Sequence, residues 1–265
     1  MARSYHQLGM LAQDQRSIED ALDWYKRSLK ISEELGNAVG IASSYYQLGV
    51  VAHLQGAHDE ALGWYKKSIK INEDLGNRVN IAILYHQLGR IAQDREIYDE
   101  ALNWYKKSAQ IKEELGAQAG MASSYHHLGM VAQMQGDYNE ALDWFKRALQ
   151  IKEELGDRAG IARTTCCLGA LATAQGRPEQ GLPLNLYSLS IQLELQIPEM
   201  RFNLCGLHRQ RELLGEERFD ELLREHAGED GAEVVLAMLA QMGSAEGASA
   251  SETPPGDPAT PPAAD

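Results

Sequence analysis

Apolar and polar residues follow a helical rhythm along most of the chain, and the rhythm itself returns every 40 residues. In the first copy Ile18, Ala21, Leu22, Tyr25, Ser28, Leu29 and Leu35 fall at i, i+3, i+4 and i+7 spacing, which puts them on one buried helix face with Trp24 and Ile31 at its edge. The opposite face is charged and solvated: Asp23 with Arg27, and Lys30 with Glu34, stand four residues apart and support the helix by only a few tenths of a kcal/mol each. Glu19 and Asp20 lie at the helix start, where the dipole favours acids. The segment before it predicts a second, shorter helix, reading Ile41 to Leu54 in the next copy, with Leu48, Gly49 and Ala52 in its middle. Glycine there costs about 1 kcal/mol of helix propensity, so its return in each copy predicts a close helix approach. Gly36, Gly76, Gly116 and Gly156 end each unit and predict left-handed helix caps.

The copies are nearly identical. EDALDWYKRSLKISEELGN is followed by DEALGWYKKSIKINEDLGN, DEALNWYKKSAQIKEELGA and NEALDWFKRALQIKEELGD, and the four tryptophans, Trp24, Trp64, Trp104 and Trp144, stand 40 residues apart. Antiparallel helix pairs with small residues at the crossing resemble the tetratricopeptide repeat (TPR) family, whose pattern is an aromatic, then Leu-Gly, then Ala, an aromatic and a small residue. Here these are Tyr5, Leu8, Gly9, Ala21, Tyr25 and Ser28. Later copies give Tyr45 to Ser68, Tyr85 to Ser108 and Tyr125 to Ala148 in the same register, so the match covers residues 2 to about 160. The 40-residue period and the Leu-Gly-Asn/Asp linker are similar to the long-repeat subgroup of Pins/LGN-type scaffolds and bacterial regulatory TPR proteins. The fold this implies is all-α: a right-handed TPR solenoid of antiparallel helix pairs, with four regular 40-residue repeats and one or two degenerate ones.

Past residue 160 the pattern decays. Leu168, Gly169 and Ala172 keep the first helix of a fifth repeat, but Gly181 and Pro183 displace its Ala-Leu and predict a kinked or delayed second helix that opens before the regular repeats. A sixth pair is expected from Arg201 to Leu214 and Glu217 to His226, then an apolar segment, Glu233 to Met242, opened by an Asp230/Glu233 capping box. From Gly243 onward Ala, Gly, Ser, Pro and acids dominate, with five of the eight prolines in the last twelve residues, predicting a disordered tail. The expected organisation is 1–160 regular repeats, 161–242 degenerate repeats and capping helices, and 243–265 tail.

Net charge is -13 from Lys+Arg 25 and Asp+Glu 38, which argues against nucleic acid as a partner. Residues 202–265 carry 13 acids and four bases, so the repeats themselves are near balance. No apolar run reaches the length of a membrane span, and the N-terminus has no secretion signal. Cys166, Cys167 and Cys205 are too few for a disulfide framework, and a reducing, cytoplasmic setting is expected. Phosphate-loop, dinucleotide, zinc-protease and nucleophile-elbow motifs are all missing from the sequence. The expectation is therefore no catalysis, no cofactor and no metal. His6, His86 and His126 share one repeat position, but Tyr46 breaks the series, and His126 and His127 point about 100° apart on a helix. Cys166 and Cys167 read as buried, inert thiols.

The resemblance implies that the first helices line a concave groove. Positions there outside the core pattern are the candidate peptide contacts: His6, Met10, Gln13, Tyr46, His53, His86, Arg90, Gln93, His126, Met130 and Gln133. Methionine, aromatic, His and Arg side chains suit an extended or helical peptide with apolar side chains. Chaperone-binding TPRs present Lys, Asn and Arg to a terminal carboxylate, and Pins-type repeats carry Asn after Leu-Gly; Met10, Val50, Arg90 and Met130 stand there instead, so neither ligand class carries over. The expected function is a protein- or peptide-binding scaffold. The alternative is a sensor segment of a larger bacterial signalling protein, such as an NTPase switch, motivated by the abrupt start of the first repeat at Met1. The first helix has no visible N-terminal cap, and weak self-association through it is a further expectation.

Overall fold

A computed structural model describes residues 1–198 and 200–245, with side chains as far as 242. The described residues are helical, without strands, and the chain divides into two compact units, Met1–Leu155 and Gly156 onward. Unit 1 holds four helix pairs: α1 Ala2–Asp14 with α2 Ile18–Glu34, α3 Ala38–Leu54 with α4 His58–Asp74, α5 Arg78–Asp94 with α6 Tyr98–Glu114, and α7 Gln118–Gln135 with α8 Tyr138–Leu155. In the second, third and fourth pairs the two helices are of equal length rather than short and long, α3 and α4 being 17 residues each, while the first pair keeps a short helix of 13 residues before one of 17. The extra turn at the start of α3 comes from Asn37, whose side chain accepts from the Gly40 N–H at 3.1 Å. Asn77 and Asp157 cap the following repeats in the same way, at 3.2 and 2.9 Å. The linker chemistry is thus two adjacent functions: Gly36, Gly76, Gly116 and Gly156 stop one helix at φ 62 to 68°, and in three of the four joints the next residue starts the following one.

Each pair closes around one aromatic ring. Tyr25, Tyr65, Tyr105 and Phe145 are fully buried, and Gly9, Gly49, Gly89 and Gly129 lie so close above them that a Cβ atom would stand 2.4 to 2.7 Å from ring carbons. The expected close approach is therefore of backbone onto an aromatic face. Beside it, Tyr5, Tyr45, Tyr85 and Tyr125 pack against Trp24, Trp64, Trp104 and Trp144 with ring centroids 5.2 to 5.5 Å apart. Arg27, Lys67, Lys107 and Arg147 lie over those indoles at 4.3 to 4.9 Å. Arg27 also pairs with Asp23 at 2.8 Å, whereas Lys30 and Glu34 make no such bond.

The first pair differs from the rest in one respect. Leu8 and Leu11 are 40% and 52% exposed, while their counterparts Leu48 and Val51 are fully buried against α2. The repeat pattern makes both faces of every first helix apolar, because each is built to pack on its own partner and on the preceding pair; α1 has only the former.

Unit 2 comprises α9 Arg158–Ala174, α10 Pro178–Glu194, α11 Arg201–Leu214 and α12 Glu216–Ala245. Pro183 neither kinks nor delays α10, which runs unbroken from Pro178. Pro183 sits in the second turn, and the ring costs one hydrogen bond there without disturbing the contacts that hold the helix. Leu182, Leu186 and Leu189 join Leu204, Leu207, Phe219, Leu222 and Leu223 in one core. Where the regular repeats place an aromatic, α10 has buried Asn185. Gly181 in turn approaches the α9 backbone, with a Cβ there meeting the Gly169 carbonyl at 2.6 Å. The expected sixth pair is present, and the break in α12 falls at Gly228 (φ 72, ψ 175), so the left-handed glycine rather than an Asp230 cap separates the last two helices. The helix continues to Ala245, three residues into the predicted tail; the remainder of that tail lies outside the described residues.

Candidate interaction face

The candidate residues lie on α1, α3, α5 and α7, which contact one another from repeat to repeat. Gln87 Nε2 donates to Tyr46 Oη at 3.4 Å and Arg90 donates to Gln87 Oε1 at 3.4 Å, joining α3 to α5. His86 and His127 meet edge to face at 4.8 Å, joining α5 to α7. Within each repeat the residue at the His6 position covers the core ring: His6 on Tyr25, Tyr46 on Tyr65, His86 on Tyr105 and His126 on Phe145, at 5.1 to 6.1 Å. These four are lids on the core before they are anything else, and His126 is buried.

Burial decides the protonation of His6 and His86. It lowers the pKa of His6, and it takes His86 well below the usual imidazole range, aided by the nearby His127, Lys112, Arg90 and His126. Both rings are neutral at neutral pH, so the row presents amides, imidazoles and aromatic rings, with formal charge supplied by residues such as Arg90 and Asp94.

The glutamines are partly committed. Tyr25 Oη donates to Gln13 at 3.1 Å and Tyr105 Oη to Gln93 at 3.0 Å, so these two candidates satisfy buried phenols. Gln133 has no such task, because its repeat carries Phe145. His53 replaces the glutamine in the second repeat and turns instead to Asp94, 2.6 Å away. Met10, Arg90, Met130 and Gln133 are the candidates left at least partly exposed without a claim from the core. Gln47, Gln87 and His127, outside the predicted set, complete the row as buried side chains. Their signal was in the sequence, as polar residues directly before the Leu-Gly step in every copy. A second feature, unannounced by any motif, is an apolar cleft of about 560 Å³ in unit 2 between α10 and α12, lined by Pro183, Leu186, Tyr187, Leu193, Val234 and Val235.

The geometry defines a class: a helix-pair repeat array whose first helices form a continuous row. The tetratricopeptide repeat profile matches residues 1–74, 40–114, 80–154 and 120–184, and the chain belongs to that family. Its members are typically scaffolds for protein–protein interaction and generally without catalysis. No curated protein matches the chain. Among solved structures, BtubC (BKLC) from P. vanneervenii is 22% identical with TM-score 0.64, over 72% of this chain and 79% of that one. The apo form of RapI is 16% identical with TM-score 0.69, over 92% and 65% respectively. A Rap protein complexed with competence and sporulation factor is 15% identical with TM-score 0.61, over 91% and 74%. These likenesses establish the fold alone. No helix among the described residues is long and apolar enough to cross a membrane.

Proposed function

We propose that the chain is a non-catalytic scaffold of the cytoplasm that binds a protein or peptide ligand, rather than nucleic acid, on the face formed by α1, α3, α5 and α7. The observation that carries this reading is the contrast along that face. His6, Tyr46, His86 and His126 pack on the core rings and Gln13 and Gln93 bond to core tyrosines, while Met10, Arg90, Met130 and Gln133 remain partly open beside them. Adaptable thioethers flanking a guanidinium over a neutral, aromatic floor suit an extended or helical segment with apolar side chains and an acceptor for Arg90. That a Rap protein of this fold was solved with competence and sporulation factor supports ligand binding as a use of such arrays.

The test is affinity capture with the full chain and its Arg90→Ala/Met130→Ala/Gln133→Ala variant, matched for helical content. His86 and His126 stay intact because they cover Tyr105 and Phe145. A ligand retained by the wild type and lost by the folded variant is the expected result; equal retention by both moves binding off this face.

The exposed Leu8 and Leu11 support weak self-association through α1. Sedimentation velocity over a wide concentration range is expected to show a mass that rises for the wild type and stays monomeric for Leu11→Lys. A constant mass in both would remove the idea.

A further inference from the structure

Among nearly identical repeats, departures from the common residue carry information, and two of them meet in space. His53 occupies the position of Gln13, Gln93 and Gln133; His58 occupies that of Ile18, Tyr98 and Tyr138. His53 lies in the last turn of α3 and His58 opens α4. The left-handed Gly56 between them folds the chain back so that the two rings approach edge to face at 5.7 Å. Asp94, the last residue of α5, enters from the next repeat and takes His53 Nε2 at 2.6 Å. One ligand atom from each of the three lies within 4.8 Å of the others.

The second repeat is worse packed for it. In the first and third repeats the glutamine accepts from the core tyrosine; with His53 in its place the buried Tyr65 hydroxyl has no partner. An unsatisfied buried hydroxyl costs about 1 to 3 kcal/mol. A local rule broken at a cost, where residues of ligating chemistry converge, marks a functional position rather than drift.

We propose that His53, His58 and Asp94 form a binding site for a divalent transition-metal ion of the zinc class. Two imidazoles and a carboxylate are borderline donors that favour such ions over calcium or magnesium. Small side-chain rotations bring donors this close to the ligand spacing of a four-coordinate ion. The His53 side chain is 10% exposed and Asp94 46%, so the site is anchored on one side and open to water on the other, which fills the remaining coordination. The neighbouring cation, Arg95, is held on Asp59 at 3.0 Å. His53 and Asp94 come from different repeats, so the ion would also clamp the second pair to the third.

The experiment uses the full chain, freed of metal with a chelator, titrated with Zn²⁺ by calorimetry and with Co²⁺ by visible absorption. One equivalent is expected, with d–d bands of a low-coordinate N/O site, and with affinity falling at least about tenfold in His58→Ala and in Asp94→Asn. His53→Gln is the discriminating variant: it removes a ligand yet returns a partner to Tyr65, so it should lose the ion while raising the apo protein's melting temperature. Absence of saturable binding, or binding unchanged in His58→Ala and His53→Gln, would overturn the site and leave His53 and Asp94 as an ion pair between repeats.

Discussion

Gly49→Ala will destabilise the protein by about 2 kcal/mol, and Gly63→Ala, the same change fourteen residues on, will stabilise it by up to about 1 kcal/mol. Both glycines are inside helices, where alanine gains about 1 kcal/mol of propensity. At Gly63 the new methyl meets nothing within 4 Å and the gain is kept. At Gly49 it would stand 2.4 and 2.5 Å from Tyr65 Cε1 and Cδ1, and that ring is fully buried, with no room to withdraw. Overpacking of this kind costs about 1 to 3 kcal/mol, and contact this short belongs at the upper end, so the clash wins over propensity. Shrinking the ring should release it: Tyr65→Leu in the Gly49→Ala background will cost less than in the wild type, a coupling that a double-mutant cycle reads directly. Thermal unfolding of the four variants checks the pattern. Two alanines that shift stability in the same direction would refute the ring contact as the reason for Leu-Gly.

Lys112→Met will raise stability at pH 7 by about 1 to 3 kcal/mol, and the gain will shrink as pH rises from 8 to 10. The Lys112 ammonium sits under α7 and donates to Ser124 Oγ at 3.1 Å, and burial pushes its pKa down to about 8 from an ordinary 10.5. The native state thus loses this proton near pH 8 while the unfolded chain holds it to about 10.5. Between those values the unfolded state binds more protons, so wild-type stability rises with pH; below 8 the full penalty of an ammonium in that site is present. Methionine keeps the stem that packs on Gly120 and removes the charge, and Ser124 retains Ser108 as a partner at 3.3 Å. The difference between wild type and variant isolates the lysine from the buried tyrosines, whose raised pKa values act above pH 10. A difference in stability that is flat from pH 7 to 10 would show that the ammonium is not desolvated.

Helix pairs, their register, the glycine joints and the small-on-aromatic crossing were all legible in the sequence, because in a repeat array a residue's main contacts lie within its own pair or the next one, and both recur at fixed spacing. What a side chain on the first helices does was not legible. Spacing placed Gln13, Gln93, His86 and His126 on one face, but whether they point to a ligand or close the core depends on the aromatic ring beneath, which is Tyr in three repeats and Phe in the fourth. Pro183 was read from local propensity alone, and the leucine core around α10 overrode it. Half-buried Lys112 and exposed Leu11 stand on the same periodic template as their counterparts, and only the presence or absence of a packed neighbour separates them. His53, His58 and Asp94 meet because one turn reverses the chain and the next repeat stacks in register. Periodicity determines which face a residue occupies; what lies against that face is set by the neighbouring helices, and that is a property of the assembled tertiary structure.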